Sequence, residues 1–334
     1  MKTSKRIYGP VLLLFVVLLL FAFAGMVNSN RYPIQYDILK RIPAGNFLLF
    51  SAAPKDFCGS EFVQLLLGLD SELEELKTKS GEVEDLIGVN PMDIERITVF
   101  CGDPRKIDDE LGTIIQVDAK NFHYDLILSE FKGTHSSFWL SGYNVQMFRE
   151  DKSRSSQEVY LYHDDKEIVI TTNKDIMEKS LDLKRGKGPS LADDSDFVNR
   201  MNNLKYNKSL WVHLPTDKII EDILGKVNTK RPDILKNNFE FRNLLCGINL
   251  SSDLKFNVQI YNPNEEQLTL TYDLFNGLKA LGMLSLAEVP ELKEVLDKIE
   301  LNKEEKYFEI DAKITMDDIK LLLSIGKGVG AIKD

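Results

Sequence analysis

The chain has 334 residues, a formal net charge of −10 at pH 7, and is 43% hydrophobic and 28% charged. These are globular proportions for one or two domains, and the acidity excludes the Lys/Arg-rich surface that nucleic acid or anionic headgroups select. Three cysteines (Cys58, Cys101 and Cys246) are too sparse for a disulfide framework.

The first element in chain order is the apolar run at residues 11–27, preceded by Lys2, Lys5 and Arg6. An uncharged run with its positive charge on the N-terminal side reads as a membrane-targeting segment that starts in the cytoplasm. Ala22-Phe23-Ala24 fits the small-x-small pattern of a signal peptide cleaved after Ala24. The run continues through Val27, which favours an uncleaved single-pass anchor, and no Cys follows it to carry a lipid. The expected address is the cell membrane with the C-terminal body extracytoplasmic, or the exported/periplasmic space after cleavage. The segment is bounded at 1–30.

Beyond it, one order of elements reads twice, predicting a first copy at 31–190 and a second at 191–334. Each opens with a strand, Phe47–Phe50 or Ser209–Leu214, followed by a turn at Pro54-Lys55-Asp56 or Pro215-Thr216-Asp217. An amphipathic helix follows each, from Phe62 to Leu76 and from Ile219 to Val227. Next comes a strand ending in Cys-Gly, at Cys101-Gly102 and at Cys246-Gly247. In the second copy a tight turn at Ser251-Ser252-Asp253 leads into Leu254–Ile260, whose strict alternation predicts one wet face. Helices are expected from near Asn121 and Asn264, and a hairpin tip or loop over Gly133–Tyr143. Each copy closes with a strand running into a capped helix, at Thr172 with Asp175 and at Thr315 with Asp318. Cys101 to Cys246, Asn121 to Asn264 and Thr172 to Thr315 share a separation of roughly 145 residues, which points to duplication. A Gly/Pro-broken connector, residues 184–190, precedes a short helix over Ser195–Leu204.

The pieces Phe47–Phe50, Ile87–Arg96, Ile168–Thr172 and Gly188–Leu191 resemble exported bacterial two-repeat α+β families of the planctomycete type. That resemblance spans most of the chain after residue 40 and implies a fold and an address without an activity.

No catalytic, cofactor or metal residue is assigned. His123, His135, His163 and His213 lie outside any H-E-x-x-H or H-x-H spacing, and there is no G-x-S-x-G elbow. Gly326, Gly328 and Gly330 follow a helix rather than a strand, unlike a phosphate loop. Asp193-Asp194-Ser195-Asp196 is the best calcium candidate, but it lacks the Gly and distal Glu of a loop site, and acids at a helix start need no metal. The mixed charges over Asp70–Glu84 read as a solvated helix face.

The expectation is therefore an α+β protein: a membrane segment, then two similar copies of a mostly antiparallel sheet with packed helices. The expected function is an extracytoplasmic, membrane-tethered, non-enzymatic binding module for an unknown protein or apolar ligand, attached through residues 11–27, without nucleic acid. The alternatives are a carrier or sensor of an apolar ligand in a cleft between the copies, and an extracytoplasmic hydrolase with a non-standard site.

Overall fold

Period-two alternation of apolar and polar residues sets most of this architecture. In a computed structural model that describes residues 36–45, 48–63, 89–90, 93–102, 109–120, 122–125, 133–150, 158–215, 243–286 and 290–322, it produces one continuous sheet. The elements in chain order are α1 (Tyr36–Leu39), β1 (Leu48–Ala52), α2 (Pro54–Cys58), β2 (Arg96–Cys101), β3 (Leu111–Gln116), β4 (Gly133–Leu140) and β5 (Tyr143–Glu150). They continue with β6 (Glu158–His163), β7 (Glu167–Thr171), α3 (Lys174–Lys184), α4 (Ser195–Asn203), β8 (Leu210–Pro215) and β9 (Asn243–Leu250). The last are β10 (Asp253–Tyr261), α5 (Glu265–Ser285), α6 (Pro290–Asp297), β11 (Ile299–Lys303) and β12 (Tyr307–Thr315).

All strand pairs are antiparallel, in the order β11-β12-β10-β9-β8-β1-β2-β3-β7-β6-β5-β4. This corrects the expectation of two copies, each with its own sheet. β1 pairs with β8 in register from Leu49↔His213 to Ala52↔Leu210, so the strands expected to open separate units are neighbours in one ladder. One core cluster crosses that seam, joining Leu49, Phe100 and Ile114 to Trp211 and Leu245 beneath residues of α1, α3 and α4. Buried Arg96 reinforces it, donating from Nη1 to Ser51 Oγ at 3.0 Å and from Nη2 to the Lys208 carbonyl at 2.7 Å. Burial lowers its pKa to about 10, with Asp56 acting the other way.

The opposite face carries three smaller cores. Phe62 and Val63 pack with Leu210, Ile248, Leu254 and Met316; Val89 and Ile94 pack with Phe148, Leu161 and Ile168; α5 covers Ile260 and Phe308 with Leu268.

Local punctuation sets the turns and helix starts. The Ser251-Ser252 turn links β9 to β10, Asn264 caps α5 by accepting from Gln267 N–H at 3.1 Å, and the connector glycines Gly186 and Gly188 have φ of 71° and 82°. Thr315 and Asp318 form the expected capping box before the helical residues 316–322. The first copy's cap moves one residue: Asn173, not Thr172, accepts from Asp175 and Ile176 N–H. Pro54–Asp56, expected as a turn, opens the short helix α2. Gly133–Tyr143 lies in a hairpin whose tip, Ser141 and Gly142, has both φ values positive, as a type I′ turn requires.

Cys101 ends β2, whereas Cys246 sits mid-strand in β9, so the two are not equivalent strand ends. Cys246 is a free thiol, and burial pushes its pKa up to about 12. Most of the helix expected over Phe62–Leu76, the helix at 219–227, Asn121, the run Asp70–Glu84 and Gly326, Gly328 and Gly330 lie outside the described residues.

The membrane expectation is corrected as well. Among the described residues no helix is long and apolar enough to cross a membrane, and residues 11–27 lie outside them. No transmembrane helix, single-pass placement or tether is carried into the function.

The C-terminal box makes a pH prediction. Burial alone would raise the Asp318 pKa, but hydrogen bonds from Lys298, Thr315 N–H and the Thr315 hydroxyl, with the Lys298 charge, hold it below its ordinary 3.8. A depressed carboxylate contributes stability that is fully present above its unfolded value and lost as pH falls through the folded one. Amide exchange corrected for intrinsic rates should therefore show residues 316–322 losing protection below about pH 4. Asp318→Asn should flatten that acid dependence; unchanged acid sensitivity in the variant would rule the box out as its source.

Candidate interaction surface

The titratable clusters are tied into the fold. Glu167 lies between two cations, 2.6 Å from Arg41 Nη2 and 2.7 Å from Lys184 Nζ, and Lys184 also pairs with Asp164. Arg41 Nη1 donates to the Ser180 carbonyl at 3.0 Å, locking α1 to α3 and the β6–β7 turn. Although burial opposes it, hydrogen bonds from Lys184 to Asp164 and Glu167 raise the lysine pKa.

A second cluster occupies the polar side of β10 and β12. Lys205 Nζ sits 2.6 Å from Glu309 and 2.8 Å from Asp311, and Asn257 Nδ2 donates to the same carboxylates. Burial would lower the Lys205 pKa, but the two carboxylates outweigh it and raise it. The predicted wet face of Leu254–Ile260 is thus covered: Asn257 and Gln259 are fully buried, and Gln259 Nε2 donates to the Asn203 carbonyl. Asn257 Oδ1 has no hydrogen-bond partner among the described residues. With the ammonium held between the two carboxylates, this cluster works as a clamp from the chain after α4 onto β12.

The remaining sequence candidates are dispersed. His135 Nε2 bonds Tyr124 Oη at 2.7 Å and Gln146 Oε1 at 2.9 Å on the surface, and His213 Nε2 bonds Asn243 Oδ1 at 3.0 Å. His163 follows Tyr162 at the end of β6, where burial lowers its pKa against the pull of Asp164. His123 is exposed. Asp193 and Asp194, read as calcium candidates, are caps: Asp193 accepts from Ser190 N–H and hydroxyl, and Asp194 from Phe197 N–H. Among the described residues no group of three or more potential ligands could hold a metal ion. A cleft of about 230 Å³ lies between α3 and the connector, lined by Pro43, Lys179, Asp182 and Pro189. It is smaller than the roughly 300–1,000 Å³ of ordinary ligand pockets and is not formed by β1 or β8.

The feature that the fold leaves unaccounted for is α5. Its inner side is fixed by Leu268 and Thr271, both buried, by Tyr272 and Phe275 against Phe308, and by Lys279 Nζ donating to the Ile299 carbonyl. Its outer side carries Leu270, Leu274, Leu278, Leu281 and Leu284, exposed by 49, 41, 54, 61 and 73%. On a helical period these five fall in one stripe, with Gly277 at its middle and Asp273 at its margin. The helix start at Asn264 is legible in the sequence and the stripe is not marked there as an outer face, because α5 is apolar on both sides and shows no polar face opposite its buried one. The signal was present in the three- and four-residue spacing of leucines that alternates with a second apolar set, Leu268, Tyr272 and Phe275. A further exposed feature is edge strand β4, which carries no charge, and Trp139 on it is 76% exposed.

No family model and no curated protein matches the chain, so neither comparison supports the planctomycete-type two-repeat families. A solved structure titled "Structure of crystal form I of TP0453" aligns over 88% of this chain and 98% of its own, with 9% identity and a TM-score of 0.40. That likeness is a distant one of α+β architecture, and it carries no argument about function.

Proposed function

We propose that this chain is a non-enzymatic interaction module whose docking surface is the outer face of α5. The supporting observation is the row of five solvent-facing leucines. Single exposed leucines need no explanation, but these lie side by side and expose on the order of 500 Å² of apolar surface, in the upper range for the largest patch on a folded monomer, and such patches are often functional. Among the described residues, the clusters around Glu167 and Lys205 are committed to ion pairs, and Asp193, Asp194 and Asp318 to caps, which favours binding over chemistry. Contact through α5 follows the helix-in-groove mode, in which residues three and four apart act as anchors.

A photo-crosslinking side chain in place of Leu278, in the full-length chain in its own host, should give a discrete protein adduct on irradiation. The same probe at exposed Glu305 should give none. Adducts to lipid alone, or no adduct at position 278, would overturn the reading.

A further inference from the structure

The stripe on α5 has a symmetry that an arbitrary partner would not require. Leu270 and Leu284 lie equally far on either side of Gly277, and Leu274 and Leu281 nearly so. A two-fold interface must be self-complementary, because the same patch serves both subunits. Two copies of α5 laid antiparallel with Gly277 at the crossing bring Leu270 against Leu284 of the other copy and Leu274 against its Leu281.

Gly277 fits that role. A glycine inside a helix lowers helix stability, so its presence in α5 calls for a reason. A Cβ added there meets nothing within 4 Å, so the chain's own packing does not require a glycine. At a helix crossing, a missing side chain lets two axes approach closely, and the separation of packed helices depends on the side chains at the contact. Area is compatible: two such stripes together expose about 1,000 Å² of apolar surface, so their full burial reaches the lower bound for a specific interface. The stripe itself is uncharged, and antiparallel helices set their dipoles favourably.

We infer that the occupant of the α5 face is a second copy of this chain, paired antiparallel across a two-fold axis at Gly277. The inference rests on the docking-surface reading and names its partner.

Cross-linking tests the geometry. Differently tagged full-length copies bearing Leu270→Cys or Leu284→Cys, each in a Cys58→Ser background, are co-expressed and treated with oxidant. Buried Cys101 and the enclosed Cys246 thiol stay in place. The mixed pair should form a dimer of twice the monomer mass. Leu270→Cys alone should not, since the two copies of position 270 would stand about 21 Å apart along the helices. Adding Leu278→Glu and Leu281→Glu, both at exposed positions, should reduce the mixed dimer at least about tenfold. Gly277→Gln should likewise reduce it, while leaving the thermal midpoint of the dilute protein unchanged or raised.

Equal cross-linking by the single variants would overturn the antiparallel pair. An absent mixed dimer, with a photo-adduct at position 278 to a different protein, would overturn the second copy and leave the docking surface standing. Absence of both would remove both.

Discussion

Gly247→Ala should destabilise the protein by about 3 kcal/mol or more, with the urea midpoint falling and the slope of the transition unchanged. Gly247 lies in β9, flanked in register by Trp211 of β8 and Asn257 of β10. A Cβ at this position would stand 1.8 Å from the Tyr206 carbonyl oxygen, 2.7 Å from its carbon and 2.8 Å from Leu204 Cγ. The obstruction is mostly backbone, so no rotamer change relieves it. Relief requires lifting residues 204–206 off the sheet, which would break the Lys205 clamp on Glu309 and Asp311 and withdraw buried Leu204 from the main core. Gly277→Ala is the control: it changes the same residue type in a regular element but meets open space, and should be neutral or mildly stabilising in the dilute protein. If Gly247→Ala moves stability by less than about 0.5 kcal/mol, the close approach of residue 206 to β9 is wrong.

Trp211→Ala should cost about 3–5 kcal/mol, as removal of a large buried aromatic does. Trp211 is 2% exposed and belongs to the cluster that crosses the β1–β8 seam, with Leu49, Phe197 and Leu204. Its removal therefore opens a void beneath the strands on both sides of that seam. Trp211→Phe should retain a large part of the stability because the ring still fills some of the volume. The readout is convenient because the chain has only two tryptophans and Trp139 is 76% exposed. Acrylamide should quench Trp139 readily, while the protected, blue-shifted emission should vanish in Trp211→Ala. Quenching of both tryptophans alike in the wild type would contradict the placement of Trp211.

What the sequence made legible was local. Asn264 and the Thr315–Asp318 pair could be read as helix starts because a cap is satisfied within three residues, and the Ser251-Ser252 turn because it joins strands adjacent in the chain. Gly247 misled for a physical reason: glycine ordinarily ends or kinks a strand, and here it keeps β9 regular beneath a crossing backbone. The alternation of β10 was read correctly as period two, yet its polar face is buried, because Lys205 and Asn203 arrive from elsewhere in the chain to cover it. The joining of β1 to β8 left no local mark, since either strand has the pattern of an opening strand with a free side. Site residues were hardest of all: the leucine spacing of α5 shows two apolar faces, and tertiary placement decides which of them is the outer one.

The β1–β8 ladder also bears on how the chain reaches its native state. About 160 residues separate the paired strands, so closing that loop costs entropy before any contact returns it, and topologies of this kind fold slowly. During synthesis, β1 can pair with β2 well before residues 210–215 exist, leaving its other hydrogen-bonding edge open. An open apolar edge waiting for a late partner is the exposure that promotes misassembly between nascent chains. Leu49 and Phe50 make this edge adhesive, and the arrival of β8 is the step that retires it.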